Sequence, residues 1–429
     1  MKIVEVYGKD YDRILDRLIR RGDDDFLEVD LTVNEIIKDV RVNMDDALNA
    51  YTKKFDGATL TKISVSKDEM VDAMKSVDAE LINIMKEAAA NIREYHQLQK
   101  EKTWLQTKSN GVILGQLITP VQRVGVYVPG GKAIYPSTLL MNVIPAQVAG
   151  VKSIAIVTPP DSEGKIDPKI LAAANILGIT EIYKVGGAQA VAALAYGTQT
   201  IRPVHKIVGP GNIYVARAKR AVFGRVDIDM IAGPSEICVI ADEFANPTFV
   251  AADLLSQAEH DEMASAILVT HSKKLAFDVI RELESQTEKS VRRDIIEESL
   301  ANFGYIFLTK DIESSIELAN ELAPEHLELM LKDPFSYLSK IENAGAIFLG
   351  EYTPEPIGDY FAGPNHTLPT ASTAKFSSPL GVYDFMKKSS IIYYPKSALD
   401  EVSDKVIKFA VSEGLDAHAN ALRVRKQDE

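Results

Sequence analysis

A strand, a glycine turn and a helix follow one another repeatedly after residue 111, and this repeat constrains the fold more than any other feature of the chain. Three strand-like runs end at turns that contain Gly130-Gly131, Gly186-Gly187 and Gly209-Pro210-Gly211, and each turn leads into a helical run. Recurrence at intervals of roughly 25–55 residues is typical of βαβ units in a parallel sheet. We therefore predict an α/β protein.

The same glycine turns are candidates for binding a nucleotide. Backbone N–H groups that stay free at a helix N-terminus bind phosphate, although glycines can also serve only to make a tight turn. Three such turns within about 80 residues favour a nucleotide-sized ligand. The standard dinucleotide fingerprint is missing, because Tyr214 stands where its third glycine should follow Gly209 and Gly211. The motif alone therefore does not establish NAD binding.

The composition is that of an ordinary globular protein and excludes several classes. The chain has 429 residues, of which 46% are hydrophobic and 25% charged, so a sizeable core and about three domains are expected. A net charge of −13 argues against a nucleic-acid partner. No apolar run is long enough to predict a membrane span, and the first residues do not resemble a signal peptide. Cys238 is the only cysteine, which excludes an intramolecular disulfide and predicts a cytoplasmic location.

The first 110 residues are predicted to be mainly helical. Two capping-box patterns, Thr32-x-x-Glu35 and Ser66-x-x-Glu69, each predict the start of a helix. His96 falls near the end of the second helical region, and we predict that it lies on the surface.

The stretch Ala323-Pro324-Glu325-His326-Leu327 places a carboxylate beside an imidazole. The proline should end the preceding helical run, so Glu325 and His326 are predicted to lie on the turn after it. Histidine titrates near neutral pH, and the adjacent carboxylate can act as a second proton carrier. A Glu-His dipeptide is more often a plain surface feature, so the pair becomes informative only together with other residues.

Nitrogen and oxygen donors that could bind a divalent cation are dispersed along the chain. Gln257 and His260 share a face if their helix continues. Asp359 lies in a proline- and glycine-rich loop of about 20 residues, a length that favours a functional role. With His418 in the tail, this donor set suits Zn²⁺. The spacing is not a compact zinc motif, and the alternative is that Asp359 caps a turn while His418 lies on a solvated helix.

Nine segments between residues 123 and 418 occur in the order of one family's motifs. They are 123–131, 186–190, 209–212, 232–236, 253–260, 323–327, 358–360, 363–370 and 413–418. Together they resemble the histidinol dehydrogenase family, whose members catalyse the last two steps of histidine biosynthesis. Each segment is weak evidence alone, but the ordered set is specific.

The resemblance implies a homodimer with shared active sites. Each α/β subunit would contain two incomplete Rossmann-like parallel-sheet domains, a small N-terminal helical arm and a helical C-terminal tail. The predicted divisions are an arm at 1–23, a discontinuous main domain at 24–126 and 236–381, an inserted Rossmann-like domain at 127–235, and a tail at 382–429.

The resemblance also implies a role for individual positions. Glu325 and His326 would be catalytic. One zinc ion per subunit would be held by Gln257, His260, Asp359 and His418. Residues implied to contact the substrate L-histidinol are Ser235, Gln257, His260, Glu325, His326, Asp359, His366, Glu413 and His418. Residues implied to contact NAD are Tyr127, Gln189 and Asn212.

The implied reaction is the four-electron oxidation of L-histidinol to L-histidine through L-histidinaldehyde, with two NAD molecules per turnover. His326 would accept the alcohol proton, and Glu325 would activate the water that attacks the aldehyde. Cys238 lies in an apolar strand, so we predict a core residue rather than a nucleophile. A zinc hydrolase that uses metal-bound water and a non-catalytic ligand-binding α/β protein remain open as alternatives.

Overall fold

The computed structural model describes residues 1–22, 26–130 and 134–426. Its strands are β1 (Lys2–Glu5), β2 (Trp104–Thr107), β3 (Ile113–Pro120), β4 (Arg123–Tyr127), β5 (Ser153–Thr158), β6 (Ile182–Lys184), β7 (Lys206–Val208), β8 (Asp227–Ile228), β9 (Glu236–Ala241), β10 (Ser265–Thr270), β11 (Gly304–Leu308), β12 (His326–Met330), β13 (Ala346–Leu349) and β14 (Met386–Tyr393). Its helices are α1 (Tyr11–Ile19), α2 (Leu27–Phe55), α3 (Lys67–Ser76), α4 (Ala79–Gln97), α5 (Pro136–Ala149), α6 (Pro168–Ile176), α7 (Gly187–Tyr196), α8 (Ile213–Val222), α9 (Pro247–Ala258), α10 (Lys273–Thr287), α11 (Arg293–Phe303), α12 (Ile312–Leu322), α13 (Glu355–Ile357), α14 (Lys396–Ser412) and α15 (Asp416–Lys426).

The chain divides into two compact units. The first comprises Met1–Gln99 and Val121–Phe385, and the second comprises Lys100–Pro120 and Met386–Glu429. The first unit contains two wholly parallel sheets, one of six strands in the order β1-β11-β10-β9-β12-β13 and one of five in the order β6-β5-β4-β7-β8. The predicted α/β fold with two Rossmann-like sheets is confirmed.

The second unit contains the antiparallel sheet β14-β3-β2 and the helices α14 and α15. The two helices confirm the prediction of a helical C-terminal tail. Strand β14, which precedes them, was not predicted. Most of its residues are exposed, so its sequence lacks the alternation of buried and polar residues that identifies a strand.

Both faces of the six-stranded sheet are covered, which explains its continuous apolar strands. Along β9, Cys238 and Ile240 belong to one core cluster, whereas Ile237 and Val239 belong to the cluster on the opposite face. Cys238 is fully buried, as the sequence predicted. No helix among the described residues is long and apolar enough to cross a membrane.

The two capping-box predictions had different outcomes. At Ser66 the box forms, because its hydroxyl accepts the N–H of Glu69 while the Glu69 carboxylate accepts the N–H of Ser66. The prediction for Thr32 was wrong. Helix α2 already begins at Leu27, and the Thr32 hydroxyl donates to the carbonyl oxygen of Glu28 inside the helix. Acidic residues in the true first turn supply the favourable helix-dipole interaction instead.

His96 does not lie on the surface as predicted but is fully buried. Its Nδ1 lies 2.7 Å from the carbonyl oxygen of Ile92, one turn earlier in α4. Burial lowers the pKa of His96, so the ring is held neutral. Two other predictions fall outside the described residues: Gly131 of the first glycine turn and residue Asp23 at the predicted end of the arm.

The segment after α12 folds differently from the predicted turn. Ala323 adopts a left-handed conformation with φ of 48° and ends the helix before Pro324. Glu325 lies in the connection that follows, but His326 is the first residue of β12, a strand between β9 and β13. The prediction that His326 lies on the turn was wrong, because pairing with β9 and β13 decides the strand and a five-residue segment carries little local signal.

Candidate active site

The backbone of Glu236 holds both members of the predicted acid–base pair. Parallel strands β9 and β12 begin at the same edge of the six-stranded sheet, with His326 opposite Ile237. The N–H of Glu236 donates to Oε2 of Glu325 at 2.8 Å, and Nδ1–H of His326 donates to the carbonyl oxygen of Glu236 at 3.0 Å. This tautomer leaves Nε2 of His326 available to a ligand, and Nε2 has no hydrogen-bond partner among the described residues.

Three carboxylates surround the buried imidazole of His326. An oxygen of Asp359 lies 3.6 Å from Nε2, an oxygen of Glu355 lies 3.9 Å from Nε2, and an oxygen of Glu325 lies 3.6 Å from Nδ1. Burial disfavours the charged ring, but these carboxylates outweigh it and raise the pKa of His326 to about 10. Positive charge placed next to the carboxylates would therefore be needed to make His326 a proton acceptor at neutral pH.

The pKa of Glu325 is raised as well, but here the raised value favours the uncharged form of the side chain. Burial raises the pKa of the Glu325 carboxyl to about 8, although the neighbouring His326 favours its charged form. A carboxyl with a pKa near the working pH can both accept and release a proton, which is the property required of a general base.

Asp359 and His366 meet in the loop after β13. Asp359 lies in a π-helical turn, Gly358–Ala362, that directly follows the short helix α13. The Nδ1–H of His366 donates to the carbonyl oxygen of Asp359 at 3.1 Å and lies 3.9 Å from its carboxylate. Burial alone would raise the pKa of Asp359, but His326 and His366 hold it well below its usual range.

The residues on either side of His366 anchor this loop to helix α5. This helix connects β4 to β5 in the five-stranded sheet. Asn365 donates its amide N–H to the carbonyl oxygen of Met141 at 2.6 Å, and Asn142 donates to the hydroxyl of Thr367 at 3.3 Å. All three polar side chains are buried. The position of His366 is therefore fixed from both sides by satisfied hydrogen bonds.

Sequence reasoning did not single out two further buried carboxyl groups, those of Glu355 and Glu328. The N–H of Glu355 donates to Oε1 of Glu328 at 2.8 Å, and the Ser256 hydroxyl donates to the Glu355 carboxylate at 3.2 Å. Burial is the main cause that raises the pKa of Glu355 to about 8, and the negative charge of Asp359 is the second. A charged residue in the middle of an apolar run, as in Leu327-Glu328-Leu329, was the signal that could have identified Glu328.

Two overlapping groups of donors could hold a metal ion. His326, Glu355 and Asp359 have ligand atoms that all lie within 4.8 Å of one another. The second group is the set of zinc ligands predicted from the sequence, which also includes Asp359. The negative charge of Asp359 favours the protonated form of His260, another member of that set. Helix α9 ends at Ala258, yet Nε2 of Gln257 lies 3.4 Å from Nδ1 of His260 in the following turn. Oε1 of Gln257 is buried without a hydrogen-bond partner among the described residues, as expected of an oxygen available to a cation.

The remaining predicted substrate contacts lie in different parts of the chain. Ser235 directly precedes Glu236, and its carbonyl oxygen accepts the N–H of Ser265 at 2.9 Å. Glu413 and His418 belong to the second unit, where both side chains are exposed.

The predicted nucleotide contacts lie at the carboxyl edge of the five-stranded sheet. Strand order reverses between the neighbours β4 and β7, and such reversals create ligand crevices in α/β sheets. Tyr127 ends β4, and its hydroxyl accepts the N–H of Gly187 at 3.1 Å. Gln189 is buried near the start of α7, while Asn212 caps α8 by accepting the N–H of Val215 at 3.2 Å.

A short connection joins this edge to the acid–base pair. Residues 229–235 lead directly from the end of β8 to Glu236 at the start of β9. A connection of this length spans at most roughly 30 Å even when fully extended. The carboxyl edge of one sheet and the amino edge of the other are therefore held within that distance of each other at this connection.

The parallel sheets and the buried acid–base pair define an α/β enzyme site, and comparison with known proteins identifies its family. The model of the family described as histidinol dehydrogenase matches residues 19–426, so the chain belongs to that family. It is therefore an enzyme, and the family supports the oxidation of histidinol in histidine biosynthesis.

Individual relatives agree with this assignment along the whole chain. The histidinol dehydrogenase of Geobacillus kaustophilus is 58% identical over 92% of this chain and 93% of its own length. That of Clostridium acetobutylicum is 53% identical over 99% of both chains. The crystal structure of histidinol dehydrogenase from Elizabethkingia anophelis has a TM-score of 0.93 and 41% identity, covering 100% of this chain and 98% of that one.

The raised pKa of Glu325 predicts a pH-dependent cost in stability. Since this pKa is about 8 in the folded protein and about 4.3 in unfolded chains, unfolding releases a proton between these values and stability falls as pH rises. Glu325→Gln should therefore gain stability relative to the unsubstituted protein from about pH 5 to about pH 8. Urea unfolding of chelator-treated protein measures this difference. Glu298→Gln, at an exposed position, is the control, and a pH-independent difference for Glu325→Gln would contradict the prediction.

Proposed function

We propose that this protein oxidises L-histidinol to L-histidine through L-histidinaldehyde, with one zinc ion per subunit and two NAD molecules per turnover. The observation that carries the proposal is the buried Glu325–His326 pair, held by the backbone of Glu236, in a chain of the histidinol dehydrogenase family. The cytoplasmic location and the division into four domains remain predictions.

In the first oxidation, Nε2 of His326 accepts the proton of the substrate hydroxyl while hydride leaves the same carbon for NAD⁺. The products are the aldehyde, NADH and one proton. The bond from Nδ1–H to Glu236 supports this role, because it keeps Nε2 directed towards the ligand and stabilises the ring when it becomes charged.

In the second oxidation, Glu325 removes a proton from water as the water oxygen attacks the aldehyde carbon. The proton that His326 accepted in the first oxidation passes to the aldehyde oxygen, which gives the gem-diol and leaves His326 able to act again as a base. The gem-diol then gives up a hydride to a second NAD⁺, and His326 accepts the proton of one of its hydroxyl groups, leaving the carboxylic acid. The raised pKa makes the ionised Glu325 carboxylate a stronger base towards water than an ordinary glutamate. The thiol of Cys238 is fully buried, and burial strongly raises its pKa, which argues against a covalent thioester route.

The proposed zinc ligands are Gln257, His260, Asp359 and His418. Their neutral nitrogens, amide oxygen and carboxylate match the preference of Zn²⁺, and the unpartnered oxygen of Gln257 fits a metal ligand. When bound, the ion supplies positive charge that orients the substrate's imidazole and amine and offsets the carboxylates around His326. Ser235, His366 and Glu413 complete the proposed substrate contacts, with Glu325 and His326.

We place NAD at the carboxyl edge of the five-stranded sheet, in contact with Tyr127, Gln189 and Asn212. The switch in strand order at this edge and the N-terminus of α8 next to Asn212 support the placement.

We also propose a homodimer in which the tail of each subunit completes the other's active site. Helices α14 and α15 bury few of their own residues, and apolar side chains such as Val406, Phe409 and Leu415 remain exposed. Such helices need a further surface to cover their apolar residues. Covering them on a second subunit would bring Glu413 and His418 to the partner's site.

The proposed reaction requires zinc and produces NADH from histidinol. Dialysis against a chelator should abolish the rise in NADH absorbance, and added Zn²⁺ should restore it. Histidinol-independent hydrolysis without NADH formation would instead indicate a zinc hydrolase. Full turnover by metal-free protein would rule out the proposed role of the ion.

Glu325 and His326 should affect the two oxidations differently. Glu325→Gln should slow aldehyde oxidation by about 10²–10⁴-fold but spare alcohol oxidation, because only the second step needs activated water. His326→Asn should slow both steps. Single-turnover measurements that start from histidinol and from histidinaldehyde separate the steps, and equal damage to both in Glu325→Gln would contradict the assignment.

Mixed dimers test whether His418 crosses between subunits. His418→Ala and His326→Asn subunits should each be inactive alone. After joint unfolding and reassembly, about half of the dimers are hybrids, and each hybrid has one intact site if the sites are shared, so about a quarter of the original activity should return. If both residues belong to the same subunit's site, every site keeps one defect and no activity returns despite confirmed hybrid formation.

A further inference from the structure

A fully buried ion pair lies beneath the third glycine turn. Lys219 projects from α8 and Asp229 follows β8, and their side chains are 2% and 1% exposed. The ammonium and carboxylate are in direct contact. A buried pair of this kind contributes little net stability, because desolvation of two charges offsets their attraction. Its position therefore deserves a functional explanation.

The pair binds both backbone polar groups of Gly209. Nζ of Lys219 donates to the carbonyl oxygen of Gly209 at 2.9 Å, while the N–H of Gly209 donates to Oδ2 of Asp229 at 2.7 Å. The other carboxylate oxygen of Asp229 accepts the N–H of Met230 at 2.6 Å. The two side chains thus clamp one residue of the turn from both sides.

Gly209 is the point at which the turn is most constrained. Its φ is +111°, a conformation that L side chains rarely adopt, and an added Cβ would lie 2.1 Å from the carbonyl oxygen of Tyr127. The turn therefore runs directly against the end of β4. A small movement of Gly209 would shift Asn212 and the N-terminus of α8, which follow it within a few residues.

We propose that Lys219 and Asp229 are positioning residues for the nucleotide, because they fix the turn that presents Asn212 and the N-terminus of α8. The inference rests on the proposed binding of NAD at this edge. In a standard dinucleotide fold, closely spaced glycines shape the phosphate turn. Here Tyr214 replaces the third glycine, and the ion pair fixes the turn through side-chain contacts instead.

A second ion pair in the same sheet provides a matched control. Arg123, at the start of β4, binds Glu181, which directly precedes β6, and their side chains are 8% and 26% exposed. This pair lies at the amino edge of the sheet, away from the turn. Its loss should lower stability without moving Gly209.

The test compares NAD⁺ affinity with stability in the zinc-loaded full-length protein. Lys219→Met and Asp229→Asn should each weaken NAD⁺ binding, measured by calorimetry without histidinol, by about tenfold or more. The KM for histidinol at saturating NAD⁺ should stay within about twofold. Glu181→Gln should lower the urea midpoint but leave NAD⁺ affinity unchanged.

The double variant Lys219→Met/Asp229→Asn separates positioning from stability. It leaves no unpaired buried charge, so its stability should recover relative to Lys219→Met alone. NAD⁺ affinity should remain low, because the carbonyl oxygen of Gly209 has lost the Lys219 donor and only one acceptor oxygen remains at position 229. Unchanged NAD⁺ affinity in the folded double variant would overturn the inference. Failure of the unsubstituted protein to bind NAD⁺ would instead refute the proposed nucleotide site, and the inference with it.

Discussion

The parallel pairing of β9 with β12 is the constraint on which the acid–base site depends. Because the strands run in the same direction and start together, the N–H and C=O groups of Glu236 point at Glu325 and His326. A shift of one residue in register would turn the His326 side chain to the opposite face of the sheet. The reactive groups therefore owe their geometry to a central strand pair rather than to a loop.

The surroundings of His326 show a conflict between stability and chemistry. Glu325, Glu328 and Glu355 are all buried, and burial raises the pKa of each carboxyl. Asp359 remains ionised among them because His326 and His366 favour its charged form. A core built only for stability would avoid this concentration of acids. Carboxyl groups in one site whose pKa values are shifted in opposite directions are typical of sites that transfer protons.

The sequence predicted features that short segments determine. The glycine turns indicated the parallel sheets, and Ser66 with Glu69 indicated a helix start that forms. Prediction from the sequence failed where contacts with distant segments decide the local structure. Strand β12 exists because β9 and β13 pair with it, and the burial of His96 depends on what packs around α4. The carboxyl of Glu355 approaches His326 only through the folded loop, so no spacing in the sequence could reveal it.

The connection at residues 229–235 has a consequence for how this protein can change over evolution. It begins at Asp229, whose carboxylate holds the glycine turn, and ends next to Glu236, whose backbone holds the acid–base pair. Ordinary surface loops accept insertions readily. Here an inserted or deleted residue would displace one end relative to the other. The five-stranded sheet is therefore not an exchangeable module, and a related sheet could replace it only if it kept both the length of this connection and the acid at its start.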